Sequence, residues 1–370
     1  MKINQIWIWE NENYPNFTYD KKKIDTQLLD ISKQQGVLEG TIKHLSQDAQ
    51  HTISTENLLD EIVYNFSIEG EVLQRSSVRA SLRKHFDKID DPASDKHTDN
   101  IVSIQEDVNE NHQPLTTARL NHWHHELIIH SKYDQTQVAP GEFRNYNDMY
   151  VTSGEGIRRK VHYLAPPANR VDQEIKKFLE YCNTSQDNPI IKSAIAHIWF
   201  VQIHPYGDGN GRLARNITNH LLSKDLGFNT KYFSISHAIN NDLKSYGTIL
   251  EDTNKLSTNP DLDLTRWISW HIQILNKAIE LSINIIDQTI EKTKFYDKIR
   301  EFKINTNQSK AINMLLLGKE KMINNGMYRV ITGTSQVTAS RQLNDLVKKG
   351  LLKRIKEHKG RSAAYELNLF

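Results

Sequence analysis

Twelve residues near the middle of the chain constrain it most: His204-Pro205-Tyr206-Gly207-Asp208-Gly209-Asn210-Gly211-Arg212-Leu213-Ala214-Arg215. Residues 191–202 before this run and 213–222 after it are apolar enough to read as packed helices. Pro205 pushes the residue ahead of it out of helical geometry, so the first helix stops near His204. Glycines at 207, 209 and 211 permit a tight loop with inward-turned amides. The helix resuming near Arg212 then presents its unsatisfied N–H donors and positive dipole end to the same point. Helix, glycine bend and helix together build an anion cradle, the usual seat of a phosphate.

The side chains around that cradle add chemistry. Arg212 and Arg215 are three apart, so one helix face carries two guanidinium forks suited to phosphate. Asp208 offers a hard oxygen of the kind magnesium takes beside phosphates. His204, with an ordinary pKa of about 6.5, is the side chain best matched to removing a proton near neutrality. The inventory fits phosphoryl or nucleotidyl transfer. A bare interhelical turn with a buried histidine and two solvated arginines would not need so many defined residues at fixed spacing. No Gly-x-x-x-x-Gly-Lys-Ser/Thr loop occurs, which excludes a P-loop enzyme.

The run resembles the Fic family signature, His-Pro-Phe-x-Asp/Glu-Gly-Asn-Gly-Arg-x-x-Arg, with Tyr206 in place of phenylalanine. Gly141-Glu142-Phe143-Arg144, Val161-His162-Tyr163, Ala196-His197-Ile198-Trp199-Phe200 and Asp263-Leu264-Thr265-Arg266-Trp267 look like the surrounding Fic core, and Ile6-Trp7-Ile8-Trp9 like the N-terminal domain of one bacterial subgroup. The resemblance implies transfer of AMP from ATP to a Ser, Thr or Tyr hydroxyl of a target protein, with release of pyrophosphate. His204 would take the proton and Asp208 would hold Mg2+. Gly209, Asn210 and Gly211 would grip the α-phosphate, Arg212 would meet the β-phosphate and Arg215 the γ-phosphate. Tyr246 sits where the family often sets tyrosine against adenine, although Gly247 follows it here. A related kinase branch, the Doc type, has lysine where this chain has Gly211, which favours AMP transfer. Doc-like kinase or other phosphodiester transfer, or a nucleotide-sensing DNA-binding regulator, are the competing readings.

Ser67-Ile68-Glu69-Gly70 resembles the Fic inhibitory helix, which implies that Glu69 pairs with Arg215 and keeps the γ-phosphate from seating. The position four before Glu69 is Asn65 rather than Ser or Thr, and Glu71 is the rival carboxylate.

The remaining expectations concern organisation. The fold expected is mainly α: a helical Fic core with a small β-hairpin flap, formed by Tyr150-Val151-Thr152 and residues 161–164, plus a C-terminal winged helix-turn-helix. Domain bounds of 1–95, 96–300 and 301–370 follow, with the polar stretch 85–111 as the first boundary. Helices are expected over 21–45, 58–68, 115–135 and 171–182, and a long one after Asp263 or Thr265 with the stripe Trp267, Trp270, Ile274, Ala278, Leu281 and Ile285. Residues 311–370 hold 11 Lys+Arg against 4 Asp+Glu, a balance of +7, while the other 310 residues hold 36 against 41, or −5. That tail resembles a winged helix: helix, helix, then two strands flanking Lys359-Gly360-Arg361, with Ser340, Arg341 and Gln342 on the helix that would face DNA. DNA, a docked protein and a second copy of the chain in a homodimer stay open as its partners. His122, His124, His125 and His130 lack the four-residue spacing of a helical zinc site and read as surface or core-edge histidines. A single cysteine, Cys182, excludes a disulfide scaffold, and no apolar run approaches the roughly 20 residues of a membrane helix. The start carries no signal-peptide pattern, so a cytoplasmic protein is expected.

Overall fold

The computed structural model describes residues 6–131, 138–154, 159–226, 230–317, 321–355 and 363–369. The chain divides into two compact units, 1–283 and 284–370. The first unit opens with a looped segment and then runs through helices α1 (Lys21–Lys43), α2 (Gln47–Ser67), α3 (Arg75–Leu82), α4 (Lys96–Glu110) and α5 (Thr117–Ile128). A hairpin of β1 (Tyr150–Ser153) and β2 (Lys160–Leu164) follows. Next come α6 (Ala168–Thr184), α7 (Pro189–Ile203), α8 (Asn210–Leu226), α9 (Ile235–Asn240) and α10 (Leu243–Thr253). Helix α11 (Thr265–Arg300) contains the division between the units. No helix among the described residues is long and apolar enough to cross a membrane.

Helix α7 is buried in the core of the first unit. It is apolar on every face, as a helix wrapped by others must be, and nearly every residue from Ile190 to Ile203 is buried. Asn188 caps it by accepting from Ile190 N at 3.0 Å, and Pro189 stands at its first turn, where a missing N–H costs nothing. It packs against α8 through a core that holds Leu213 and Ile217 and against α6 at Phe178, and α8 in turn meets α2, α4 and α5, whose Ile62, Phe66, Val102, Val108, Leu120 and Trp123 join the same core. Helix α2 is also fastened by charge. The buried Glu61 carboxylate accepts from Asn219 Nδ2 (2.9 Å), Ser234 Oγ (2.9 Å), Ser236 N (2.9 Å) and Ser236 Oγ (2.6 Å). At the start of α11, Asp263 Oδ1 accepts from Thr265 N at 2.7 Å, and Trp267 and Trp270 lie in the core.

Two elements of this unit differ from expectation. Helix α2 starts at Gln47 rather than near residue 58, because Ser46 caps it and its first turns carry polar side chains that mask the helical period. The polar stretch 85–111 contains α4, whose inward face is Ile101, Val102, Ile104 and Val108. Alternating Asp, Asn, Gln and Glu conceal that face in the sequence.

The second unit holds α12 (Thr306–Leu317), β3 (Ile323–Asn324), α13 (Asn325–Thr332), α14 (Gln336–Lys348), β4 (Leu352–Arg354) and β5 (Ala364–Leu367). Its antiparallel sheet has the order β3-β5-β4, with Tyr365 facing Ile323 on one side and Arg354 on the other. Phe295, Ile312, Tyr328, Leu343, Leu346 and Leu352 fill its core. Ser335 caps α14 by accepting from Thr338 N. The strand β3 and the helix α13 go beyond the expected helix, helix and two strands, since two residues of strand are too short to leave a period. Residues 359–361 of the expected wing lie outside the described residues. On α14, Ser340 Oγ accepts from Asn325 Nδ2 at 2.7 Å and Gln342 Oε1 accepts from Tyr328 OH at 2.6 Å, so both side chains are engaged inside the unit.

Buried histidines make the first unit acid-sensitive. Burial pushes His124 and His204 down to about 4 and His220 and His271 down to about 3. An unfolded chain protonates them near 6.5, so between pH 6.5 and 4 the unfolded state binds more protons and stability falls as pH falls. Melting curves at pH 7 and pH 5 are expected to differ by several degrees, with the lower midpoint at pH 5; equal midpoints would contradict the burial of these rings.

Candidate active site

Helix α7 ends where Pro205 forces it to. His204 adopts the left-handed conformation (φ 50°, ψ 58°), uncommon for a residue with a side chain, and its N–H still closes on Phe200 O at 3.0 Å. Arg144 brackets the bend from behind. Its backbone N donates to Pro205 O at 2.9 Å, Nε to His204 O at 2.8 Å and Nη2 to Pro166 O at 2.5 Å. Asn210 closes the loop from the other end, accepting from Tyr206 N at 3.0 Å and donating to Tyr206 O at 2.8 Å. Both ends of its amide are therefore occupied by the loop. Helix α8 begins at Asn210, within the motif and slightly before the expected point.

The floor of the bend rests on α5. His124, fully buried, stacks face to face on Tyr206 with centroids 4.0 Å apart. Its Nδ1 accepts from Gly141 N at 2.8 Å, which places the proton on Nε2, 3.2 Å from Asp208 O. The Tyr206 hydroxyl, which a phenylalanine at this position would lack, donates to Asn121 Oδ1 at 2.7 Å. Gly209 sits at φ 76° above this floor, and a Cβ there would lie 2.9 Å from Leu127 Cδ2. Gly209→Ala is therefore expected to cost about 1–3 kcal/mol through backbone strain and overlap. Chemical denaturation would read it; an unchanged midpoint would contradict the packed floor.

The two arginines are fully buried and both meet carboxylates from the end of α2. Arg215 Nη2 is 2.7 Å from Glu69 Oε1, while its Nε and Nη2 donate to Asn65 Oδ1 (2.5 Å) and Asn65 O (3.0 Å). Arg212 Nη1 is 2.8 Å from Glu71 Oε2, Nη2 is 2.7 Å from Asp208 Oδ1, and its guanidinium lies 5.0 Å over the Phe66 ring. The turn that delivers both glutamates pivots on Gly70 (φ 73°), with Gly70 N on Ser67 O at 2.9 Å and Glu71 N on Phe66 O at 3.1 Å, a glycine-terminated helix end. Burial alone would raise the Glu69 carboxyl. The Arg215 charge and hydrogen bond, helped by Arg212, outweigh it and hold the carboxyl below its ordinary range.

Glu69 also sits on the cradle. A Cβ placed on Gly211 would collide with Glu69 Oε1 and approach Arg215 Nη1 to 3.4 Å. Arg215 Nη1 is buried and has no hydrogen-bond partner among the described residues. The carboxylate thus lies at the start of α8, beside a donor left over, where an incoming anion would lie.

Glu69, His204, Gly211 and Tyr246 line one open cleft of about 610 Å³, together with Ser153 and His162 of the hairpin and Lys244, Leu250 and Glu251 of α10. That size is within the range of ligand pockets. His204 Nδ1 is 3.1 Å from Val201 O and donates to it, which leaves Nε2 bare. The Tyr246 hydroxyl meets His197 Nε2 at 3.0 Å and its ring stacks on Trp270, so it enters the cleft by one edge. Asp208 fits a magnesium ligand on two grounds. Its side chain is 36% exposed, and both its hydrogen bonds from described residues, from Gly209 N and Arg212 Nη2, fall on Oδ1 and leave Oδ2 clear. No group of three metal-ligating side chains occurs among the described residues, so the other ligands would be phosphate oxygens and water.

Sequence reasoning named the loop, both arginines and Glu69. Glu71 entered only as a rival to Glu69, whereas each carboxylate takes its own arginine. Asn121 and His124 gave no signal of their own. His124 stood in a histidine cluster set aside as surface or core-edge, and its place under the loop depends on a contact to Asp208 across 84 residues.

This fold and this loop define a Fic/DOC domain: residues 114–222 match the Fic/DOC family. Residues 7–87 match a domain of unknown function, DUF4172. The chain is similar to the protein adenylyltransferase Fic of Drosophila mojavensis, 24% identical over 190 residues, and of Drosophila melanogaster, 24% identical over 193. Each match takes in 49% of this chain and 35% of the relative, about a third of those relatives' length. In fold it is similar to a Fic family protein from Desulfovibrio desulfuricans, with a TM-score of 0.55 at 18% identity, covering 95% of this chain and 98% of that one. A Fic domain containing signaling protein from Bacteroides thetaiotaomicron reaches 0.51 at 18% identity, over 69% and 96% respectively.

Proposed function

We propose that this chain is a self-restrained AMP-transferase that moves AMP from ATP to a hydroxyl of a target protein. The observation that carries the reading is the Glu69 carboxylate lying on the α8 start and on Arg215, in the same cleft as the bare His204 Nε2. A carboxylate paired with Arg215 and lying at a helix N-terminus marks a place built for negative charge, and the same donors serve a triphosphate. His204 takes the proton from the acceptor hydroxyl. The amides at Gly209 and Gly211 meet the α-phosphate, where charge develops as pyrophosphate leaves. Asn210 keeps those amides in place by bracing the loop at Tyr206. Arg212 and Arg215 take the β- and γ-phosphates, the second only once Glu69 has left it. Tyr246 lies along the adenine. Asp208 would hold Mg2+, which would supply charge neutralisation to the phosphates. The hairpin β1–β2, at the rim of the cleft, receives the target chain as an added strand.

ATP labelled on the α- or the γ-phosphate separates AMP transfer from phosphate transfer. The expected result is α-label retained on protein with γ-label released, and the reverse pattern would make the chain a kinase. The second unit, with its excess of basic residues, is proposed as the part that docks a partner, whether protein, DNA or a second copy. The reaction itself requires only residues of the first unit.

A further inference from the structure

Three residues at the rim of the cleft form an arrangement that the transfer reaction above does not use. Ser153 ends β1, His162 lies on β2 and Glu251 on α10. Ser153 Oγ is 2.6 Å from His162 Nε2, and His162 Nδ1 is 3.0 Å from Glu251 Oε2. A carboxylate only accepts, so Glu251 fixes the imidazole proton on Nδ1 and leaves Nε2 to accept from the serine hydroxyl. Hydroxyl, base and orienting carboxylate in series is the arrangement that turns a serine into a nucleophile. Glu251 is firmly ionised: hydrogen bonds from Lys160 and Lys255, and then from His162, hold its carboxyl at about 2. Lys160 Nζ is 2.9 Å from Oε2 and Lys255 Nζ 2.5 Å from Oε1. The serine is exposed and lines the cleft that His204, Glu69 and Gly211 also line.

We propose that Ser153 is itself an AMP acceptor, activated by His162 and Glu251, an inference that rests on the reading of this cleft as an ATP site. Ser153 Oγ gives its proton to His162 Nε2 and forms a bond to the α-phosphorus of ATP. The bond from that phosphorus to the β-phosphate oxygen breaks, and pyrophosphate departs with the electron pair. The cradle that stabilises transfer to a target stabilises this transfer too, and an acceptor on the same chain needs no encounter with a partner.

The test uses the full chain carrying Glu69→Gly, with ATP and Mg2+, followed by peptide mapping. The expected result is AMP on the peptide containing Ser153, lost in Ser153→Ala and formed about 10²-fold more slowly in His162→Gln. AMP found on other residues or other proteins but never on Ser153 overturns the inference and leaves AMP transfer standing. AMP found on nothing overturns both. A second readout needs no nucleotide: diisopropyl fluorophosphate is expected to modify Ser153 in the unsubstituted chain and not in His162→Gln. Absence of that adduct shows that the three side chains only fasten the hairpin to α10, and overturns the inference.

Discussion

Alanine at His204 is expected to lower AMP transfer to a separate protein by about 10²–10⁴-fold, the usual worth of a positioned base. The reason lies in one hydrogen bond. His204 Nδ1 is committed to Val201 O at 3.1 Å, so the only nitrogen offered to the cleft is Nε2. Burial holds the ring near 4 against the opposing pull of Val201 O, Asp208 and Glu69, so at neutral pH it is uncharged and able to accept. Transfer should therefore stay level from pH 8 to about 5 as far as this group is concerned, rather than decline through 6.5. A triphosphate seated beside the ring adds negative charge, which moves its pKa up toward the range where a base is most effective. His204→Ala leaves the backbone bend and the Arg144 bracket in place, so transfer is lost while the melting midpoint holds. A midpoint that collapsed with the activity would instead make His204 a structural residue.

Glycine at Glu69 is expected to act in the opposite direction and raise transfer about 10- to 100-fold. A hydrogen bond between charged partners is worth about 1.5–3 kcal/mol, and on the proposed function that is the obstacle a γ-phosphate would meet at Arg215. Since Arg215 holds the Glu69 carboxyl below its usual range, mild acid does not release it. Nor does release require the whole of α2 to move. Glu61 anchors that helix through four hydrogen bonds, so the movable part is the turn at Gly70 that carries Glu69 and Glu71. Glu69→Gly frees Arg215 alone and leaves Arg212 on Glu71 and Asp208. The variant should melt a few degrees lower, because a buried arginine loses its counter-charge, and ATP should restore the difference by binding the folded state. Unaltered transfer in Glu69→Gly would mean that the carboxylate is not the restraint.

The parts of this molecule that were legible in the sequence are those whose physics is local. Pro205 stops a helix, three glycines bend a loop and the apolar faces of α7 and α8 repeat at helical spacing, so the cradle could be placed from residues 191–222 alone. The hairpin was visible because two β-prone runs flank Gly154. The pairing of Glu69 with Arg215 spans 146 residues and became visible only through resemblance. Polar contacts over such distances leave no periodic trace. The same holds for Arg144 behind His204, for His124 under Asp208 and for Glu71 on Arg212. Helix α4 was obscured for a different reason: it is amphipathic, and the acidic and amide residues on its outer face dominate its composition.

The most direct measurement is transfer of α-labelled AMP to acceptor proteins in a cell lysate. The unsubstituted chain, Glu69→Gly, and Glu69→Gly combined with His204→Ala would be assayed side by side. The expected order is weak, strong and absent. Transfer as fast in the unsubstituted chain as in Glu69→Gly, or transfer to those acceptors that survives the loss of His204, would contradict a cradle held shut by Glu69 and worked by His204.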